Sequence, residues 1–299
     1  MIRELALFTA MTAMFLLVGC AVGYLLGDPV SAMLAALVVA AAMNGIAYLF
    51  GDKLVMSMTG AKVVPESEAP QLHAMVERIA AKAKVPKPKV GIVRTLSPNA
   101  FATGRSPGSS VVCVTEGALR LFDEQELEGV VAHEVSHVLH RDTLLAAVAA
   151  TIAGALSWLA YAGRMGLLFG GRRDDRRGGG GAELLALAGL ALVPIAASLT
   201  QLAISRGREY GADEEGARLT GKPLSLASAL EKIERAVRNG YTIRANPSTS
   251  PLWIANPFRG DSVAELFMTH PPTSKRVERL RALARKIDAQ EKSFNANVS

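Results

Sequence analysis

Charged, aromatic and cysteine residues are all scarce in this chain of 299 residues. Asp, Glu, Lys and Arg make up only 20% of it, aromatic residues 5%, and there are two cysteines, Cys20 and Cys113. This composition excludes a disordered protein and a highly polar soluble enzyme. Two cysteines also exclude a disulfide framework, so a reducing compartment is the simpler expectation. Half of the residues are hydrophobic, which requires either a very large core or a membrane.

The apolar residues concentrate in four uncharged segments. These are residues 5–27, 29–51, 143–163 and 184–205. Each exceeds the roughly 20 residues that a helix needs to cross the hydrocarbon core of a bilayer. The first two, joined by Asp28 alone, predict a transmembrane hairpin. The last two are rich in Ala and Gly and predict a second hairpin that either spans the membrane or is partly embedded.

The first segment has one alternative interpretation. The run Leu17-Val18-Gly19-Cys20 resembles a bacterial lipoprotein cleavage site, which would make the segment a signal peptide. Against this, Arg3 is offset by Glu4, and apolar residues continue past the cysteine to Leu26. We therefore expect a retained membrane helix.

The charges outside these segments indicate the orientation of the chain. The turn at Asp28 has no Lys or Arg, whereas residues 206–299 hold most of the net charge of +6. Because basic residues beside membrane helices favour the cytoplasm, the N-terminus and the region after Asp52 are predicted to face the cytoplasm. The loop 164–183, rich in Arg, Asp and Gly, would lie outside if both later segments span.

Five residues carry the clearest chemical signal. His133-Glu134-Val135-Ser136-His137 fits the pattern H-E-x-x-H, and a capping-box pattern at Asp123 and Glu126 together with the apolar spacing predicts a helix. On a helix both His side chains lie one turn apart on one face and can bind one Zn²⁺ ion. Glu134 is then placed to act as the general base. The pattern predicts a zinc-dependent hydrolase.

A third protein ligand must come from elsewhere in the fold. His140 would lie about 10 Å along the helix axis from His133, too far to share one ion, and is expected to contact the last carbonyls of its helix. His73 stands alone on an amphipathic helix and is expected at a boundary or surface. Glu209 and Asp213, one helical turn apart, fit a ligand carboxylate with a second carboxylate behind it. A solvated acidic face would show the same pattern.

The positions of these residues indicate where a metal site would lie. His137 closely precedes the third apolar segment, and Glu209 closely follows the fourth. If both apolar segments between them span the membrane, the chain crosses it twice; if neither spans, it does not cross at all. In either case His137 and Glu209 lie on the same side. A site next to these helix ends would lie within about 10 Å of the membrane surface.

Two further stretches are candidates for the same site. Residues 99–104 and 110–114 alternate with Gly and Pro turns and predict short strands. Such an edge strand can hold an extended peptide by backbone pairing, although an ordinary sheet core is the alternative. His270 precedes two prolines, and Arg276 lies in the helix expected after them. Either could donate to the oxyanion that forms during peptide hydrolysis, and His270 could instead cap the helix.

Four motifs together resemble those of the HtpX membrane-bound zinc metalloproteases, which are related to the CAAX prenyl endopeptidases. The motifs are residues 133–137, 205–213, 97–104 and 269–276. Their order and the four apolar segments also match, so the resemblance covers nearly the whole chain. The Arg-, Asp- and Gly-rich loop at 172–181 departs from the family pattern.

The resemblance implies a specific chemistry and a class of substrate. It implies one Zn²⁺ ion per chain, bound by His133, His137 and Glu209. It implies Glu134 as the catalytic residue and Asp213 as the residue behind the ligands. It further implies a stress-response role in degrading unfolded, damaged or misassembled membrane proteins, here at the cytoplasmic face of the bacterial inner membrane.

For the remaining candidates the resemblance is less specific. It favours substrate alignment for Asn99, with Ala100 and Phe101 beside it on the expected strand. It adds a further possibility for His270, which is occupation of the open zinc position when no substrate is bound. Residues 237–267, rich in Pro, Asn, Ser and Gly, predict a long loop over the site that is either a lid or a connector.

Together these features predict a mainly α-helical multi-pass membrane protein with a split gluzincin-type zinc metallopeptidase domain that carries a small β-sheet. The expected divisions are as follows: a transmembrane hairpin at 1–51, the first catalytic half at 52–142, a second apolar hairpin at 143–205 and the second catalytic half at 206–299.

Other functions are weighed against this one. A dedicated processing peptidase for lipidated or other specific membrane substrates is the main alternative. A non-catalytic membrane protein with a structural zinc is disfavoured, because such a site has no need of the general base Glu134. The basic residues at 275–286 are spread over a solvated face without interleaved aromatics, so membrane lipid but no nucleic acid is expected as a partner.

Overall fold

A computed structural model describes residues 2–155, 205–243, 247–258 and 270–298. Two long helices come first, α1 (Ile2–Leu26) and α2 (Pro29–Thr59), and both are long and apolar enough to span a membrane. Apolar side chains cover all faces of both helices, as expected in lipid. The two N-terminal membrane helices are therefore confirmed. α2 continues past the uncharged segment to Thr59, so its last two turns include the charged residues Asp52 and Lys53.

Small residues bring α1 and α2 into close contact. A Cβ atom at Gly19 would lie 2.5 Å from the Cβ of Ala36, so this approach requires glycine. One polar pair joins the same helices, because the amide Nδ2 of Asn44 donates to Oγ1 of Thr12 at 3.0 Å. Since lipid tails are as apolar as the side chains, close approach and hydrogen bonds hold membrane helices together.

A four-stranded mixed sheet follows the membrane hairpin. The strands are β1 (Ala61–Val63), β2 (Lys89–Val93), β3 (Ala100–Thr103) and β4 (Val111–Thr115), in the spatial order β1-β2-β4-β3. β2 and β4 are parallel, and the other two pairs are antiparallel. The two strands expected from the sequence correspond to β3 and β4. β3 forms one edge of the sheet, with one side open to other segments.

Helices α3 (Pro70–Lys82), α4 (Glu116–Leu121) and α5 (Glu124–Leu139) complete the first half of this region. α5 begins with the expected capping box: Asp123 Oδ1 accepts the N–H of Glu126 at 2.9 Å, and Glu126 Oε2 accepts the N–H of Asp123 at 3.0 Å. α5 is buried on nearly all its faces between the sheet and other helices. This central position explains why a helix with several charged residues has such a large buried surface.

The third apolar segment begins as helix α6 (Asp142–Ala155), which meets α5 at an angle of 88°. Arg141, between the two helices, has a positive φ of 58°, so a tight left-handed residue makes the corner. α6 joins an apolar cluster with α1 and α2, and its buried members are Leu144, Leu145, Val148, Ala149, Ile152 and Ala153. The remainder of this segment, the fourth segment and the loop at 164–183 lie outside the described residues.

Three more α-helices follow in the described chain: α7 (Arg206–Thr220), α8 (Pro223–Arg238) and α9 (Thr273–Val298). α8 is strongly amphipathic and buries Leu226, Leu230 and Ile233. These side chains meet residues of α3, α5, α9 and the sheet in one core cluster. The expectation of a mainly helical membrane protein with a small sheet is confirmed.

Candidate metal centre

His133 and His137 bring two imidazole nitrogens together on one face of α5. Their Nε2 atoms are 3.2 Å apart, and the ring planes are nearly perpendicular. The one-turn spacing on the helix produces this convergence, as the sequence predicted. His133 is fully buried, and His137 is only slightly exposed.

Glu209, in the first turn of α7, brings a carboxylate to the same point. Its Oε1 lies 3.4 Å from Nε2 of His137, and its Oε2 lies 3.8 Å from Nε2 of His133. α7 can approach α5 this closely because Gly216 faces His133: a Cβ there would lie 2.9 Å from the His133 backbone nitrogen. The three residues form a group able to hold a metal ion. Glu209, rather than His140 or His73, is thus the third member of the group.

The other nitrogen of each imidazole faces an aspartate. Nδ1 of His133 lies 3.0 Å from Asp213 Oδ1, and Nδ1 of His137 lies 3.5 Å from Asp142 Oδ2. An N–H shared with a carboxylate orients the ring and leaves the lone pair of Nε2 directed at the metal position. Asp213, predicted from the sequence as the residue behind the ligands, lies on α7 next to His133. Asp142 was missed, and the only signal was an acidic residue next to an apolar segment and five residues after a ligand.

His270, just before α9, and Arg276, in the first turn of α9, contact the two buried carboxylates of α7, Glu209 and Asp213. Nδ1 of His270 lies 2.8 Å from Glu209 Oε2. The guanidinium of Arg276 donates from Nε and Nη2 to the two oxygens of Asp213 at 2.8 and 2.7 Å. Burial lowers the pKa of such a guanidinium, but Asp213 and Glu209 outweigh it and raise the pKa of Arg276 above its usual value. Arg276 therefore stays charged.

The two expected non-ligand histidines have other roles in the fold. Nδ1 of His140, just after α5, lies 2.8 Å from the carbonyl of Ser136, as expected at a helix end. Nε2 of His73 lies 3.1 Å from the carbonyl of Val64. Both contacts are local to the packing of α5 and α3, and neither ring joins the metal group among the described residues.

Glu134 is buried beside the ligand group and faces the edge strand. Burial raises the pKa of Glu134 to about 8, and the charge of Glu209 adds to the rise, while a hydrogen bond from the Ala102 backbone N–H opposes it. Its Oε1 has no hydrogen-bond partner among the described residues. A carboxyl group with a pKa near neutrality and one open oxygen can both take up and release a proton.

Electrostatics in the group favour a cation. Burial alone would lower the pKa of His137, but Glu209, Asp142 and Glu134 raise it to about 9. Burial lowers the pKa of His133 to about 4 despite Asp213, so that ring is neutral near pH 7. The pocket therefore stabilises positive charge close to Glu209 and keeps at least one imidazole in its ligating form.

The three predicted substrate residues lie on or beside the edge strand β3, and all have partners within the chain. Nδ2 of Asn99 donates to the Ala255 carbonyl at 2.8 Å, and the Ile254 N–H donates to the Ala100 carbonyl at 2.9 Å. Phe101 is fully buried against Trp253, edge to face. Residues 253–255 of the expected loop at 237–267 thus pack onto the edge of the sheet. The same region includes the end of α8 and a 3-10 helix, Pro247–Leu252.

A cavity of about 30 Å³ lies between the metal group and this segment, which is room for about two waters. It is lined by residues of β3, α5, α6 and α7 and by residues 251–254 and His270. The site thus has space for a small reactant beside Glu134, with the edge of the sheet along one side.

Membrane-length helices followed by a His-Glu-x-x-His helix whose histidines converge with a glutamate define a membrane metallopeptidase. The model of Peptidase family M48 matches residues 66–284. The chain is 54% identical over 283 residues to a protease HtpX homolog of Pyrococcus abyssi, covering 95% of this chain and 96% of that protein. It is 49% identical over 270 residues to a protease HtpX homolog of Aquifex aeolicus, covering 89% of each. The chain belongs to peptidase family M48.

These comparisons confirm the resemblance to HtpX proteases that the four motifs indicated. Among solved structures, the crystal structure of S. mikatae Ste24p aligns with 94% of this chain and 65% of its own, with 16% identity and a TM-score of 0.46. The family assignment rests on the sequence matches. The expectation of a metallopeptidase is confirmed, and peptides or proteins are its substrates.

Proposed function

We propose that the chain is a zinc-dependent endopeptidase that degrades misfolded or damaged membrane proteins at the cytoplasmic surface of the membrane. The observation that carries the proposal is the convergence of His133, His137 and Glu209 beside the buried Glu134. Such an arrangement supplies three protein ligands and a general base, the requirements of a catalytic zinc site.

The residues fit one Zn²⁺ ion per chain. Tetrahedral zinc with bonds of about 2.0–2.1 Å places its ligand atoms about 3.3 Å apart. The two Nε2 atoms are 3.2 Å apart, Glu209 Oε1 lies 3.4 Å from that of His137, and Glu209 Oε2 lies 3.8 Å from that of His133. One ligand atom of each residue lies within 4.8 Å of the other two. The nitrogen and oxygen donors also suit this ion. We propose that these three residues hold it.

The charges around the group fit the same ion. Four carboxylates, from Asp142, Glu134, Glu209 and Asp213, face two guanidinium groups in the described part of the chain. Without the ion, the raised pKa values of Glu134 and His137 place one proton on each near pH 7. With Glu134 ionised and both imidazoles neutral, as in the proposed zinc-bound state, two negative charges are left over. A divalent cation balances them, and burial of these groups makes such a balance necessary.

In the proposed reaction, the chain's residues orient the ligands and move a proton. Asp213 and Asp142 hold the two rings through Nδ1, so that both Nε2 atoms face the ion. When bound, Zn²⁺ supplies a Lewis acid that polarises the scissile carbonyl and makes water more acidic. Oε1 of Glu134 takes a proton from the attacking water and later delivers it to the leaving amine. We propose His270, whose buried Nε2 lacks a partner among the described residues, as a donor to the developing oxyanion.

The position of the site supports substrates that are at or in the membrane. α6, which leaves the metal-binding helix at the corner after α5, packs against α1 and α2. The ligand His137 lies one turn before that corner. A chain that emerges from the bilayer can reach the site over a short distance, which favours membrane proteins over free cytosolic ones.

We propose the same division of the chain that the sequence suggested, with a catalytic domain split by an apolar insert at 143–205. Ligands on both sides of the insert support it, because α5 precedes it and α7 follows it. The short turn at Asp28 without basic residues supports a cytoplasmic catalytic side. The relatives come from archaea as well as bacteria, so a bacterial inner membrane stays a prediction.

The test compares purified protein with its Glu134→Gln variant on two substrates, unfolded casein and a membrane protein with a destabilised helix. We expect Glu134→Gln to reduce cleavage by about 100-fold or more and to retain zinc. The matched control is Glu214→Gln, which changes an exposed glutamate paired with Arg218 on α7. Equal cleavage by wild type and Glu134→Gln contradicts the mechanism. Cleavage of casein alone contradicts the proposed substrate class.

A further inference from the structure

The corner between α5 and α6 is built around the side chain of Asp142, the first residue of α6. Its Oδ2 lies 3.5 Å from Nδ1 of His137, and its Oδ1 lies 3.4 Å from Nε of Arg208. The three side chains are largely buried, with 12–15% exposure. One carboxylate thus joins the imidazole to a guanidinium.

Arg208 extends this contact to the second helix that carries a candidate metal ligand. It lies in the first turn of α7, directly before Glu209. The bridge therefore connects the helix that carries the two histidines to the helix that carries the glutamate. It also joins the start of α6 to the start of α7, the two described ends of the apolar insert.

The next residue of α6 makes a second connection. Oγ1 of Thr143 donates to the carbonyl of Gly104 at 2.9 Å, and the bond is buried. Gly104 directly follows β3, the edge strand beside Glu134. The first turn of α6 therefore contacts both the metal group and the end of the edge strand.

The remainder of α6 belongs to the membrane bundle. Its apolar residues pack with those of α1 and α2 in one cluster. Packed interiors resist small displacements. The packing of α6 against α1 and α2 therefore fixes the position of Asp142 at the start of α6. The metal group and the bundle are thus connected through one helix.

We propose that Asp142, held by Arg208, is a positioning residue that orients His137 and couples the metal group to the membrane helix α6. By accepting the Nδ1–H of His137 it selects the tautomer whose Nε2 lone pair faces the ion. Oδ1 of Asp213 lies 3.0 Å from Nδ1 of His133, so each histidine has its own aspartate. The inference rests on the proposed function, because it assigns a role toward the same zinc ion.

The variants that test it are Asp142→Ala, the isosteric Asp142→Asn and Arg208→Met. The control is Arg218→Met, which removes an exposed arginine of α7 from its pair with Glu214. The direct measurement is zinc affinity by chelator competition in detergent micelles. Asp142→Ala is expected to bind zinc about 10- to 100-fold more weakly. Arg208→Met is expected to show a smaller loss, and the control to bind zinc as wild type does.

A second measurement separates positioning from general damage to the fold. At saturating zinc, Asp142→Ala is expected to recover occupancy and KM, with kcat still reduced because the imidazole is no longer held. Asp142→Asn keeps the shape and is expected to lie between Asp142→Ala and wild type. Zinc affinity equal to wild type in both Asp142 variants overturns the proposal. If wild type binds zinc and cleaves substrate in that case, the proposed function stands and only this inference fails.

Discussion

Arg276 and Asp213 form a bidentate ion pair directly behind His133. The guanidinium also donates from Nη1 to the carbonyl of Ile254. Asp213 in turn faces Nδ1 of His133 at 3.0 Å. The arginine therefore connects the support of one candidate ligand to the segment that covers the edge of β3. Because the nitrogens of Arg276 already donate to Asp213 and Ile254, its geometry favours a role in positioning Asp213. Its role as an oxyanion donor stays a prediction.

Replacing Arg276 by methionine is expected to destabilise the fold strongly. Removing one partner of a buried ion pair leaves the other charge uncompensated and costs about 3–5 kcal/mol. The measurement is unfolding of the purified protein by denaturant. The control is Arg281→Met, which breaks an exposed pair with Glu231 and should change the free energy of unfolding by no more than about 1 kcal/mol. Unchanged stability with a reduced kcat would instead favour the oxyanion role.

Replacing His270 by alanine is expected to weaken zinc binding by about tenfold or more. Its Nδ1 contacts Glu209 at 2.8 Å, and groups that orient a ligand in this way affect metal affinity. Chelator competition measures the affinity, and peptide cleavage at saturating zinc measures kcat separately. A reduced kcat at full zinc occupancy would support the proposed oxyanion donor. Wild-type affinity would show that the contact with Glu209 does not orient the ligand.

A third prediction concerns pH and the buried Glu128 of α5. Burial raises the pKa of Glu128, but hydrogen bonds from Arg78 and Lys222 outweigh it and hold the pKa below its usual value. The folded-state pKa is therefore lower than the unfolded one. The stabilisation is fully present above the unfolded pKa and is lost as pH falls through the folded pKa.

Glu128→Gln is accordingly expected to lower the free energy of unfolding by about 1–2 kcal/mol at neutral pH. The difference from wild type should shrink as the pH falls below the ordinary glutamate pKa of about 4.3 and through the lower pKa of Glu128 in the folded state. Denaturation at pH 7 and at acid pH measures it. The control is Glu77→Gln at the exposed pair with Lys87. A difference that is constant with pH would show that the charge of Glu128 does not stabilise the fold.

Much of the fold followed from local patterns. Uncharged runs predicted α1 and α2, and the capping box at Asp123 and Glu126 predicted the start of α5. The short strands β1 and β2 were not anticipated. β1 has three residues, too few for a period-2 pattern, and its pairing with β2 depends on register with a distant strand. These two strands form because they pair with other strands of the sheet, and the local sequence of each segment does not predict them.

The candidate site divides in the same way. His133, Glu134 and His137 lie within one helical turn of each other, so helix geometry alone predicts their convergence. Asp142 was missed because its role depends on an 88° corner, which a sequence pattern does not encode. The covering of Asn99 by Ala255 was also missed, because those residues are 156 positions apart.

By itself, the sequence determined that this is a membrane protein with a helix-borne metal motif, because both depend on contacts within one helix. Only the tertiary structure decided that Asp142 faces the imidazole of His137, through the corner between α5 and α6, and what covers the edge of β3. Other contacts around the site join residues far apart in the chain, such as Arg276 and Asp213 at a separation of 63. Their geometry comes from how α5, α6, α7 and α9 pack, and packing depends on the whole core at once.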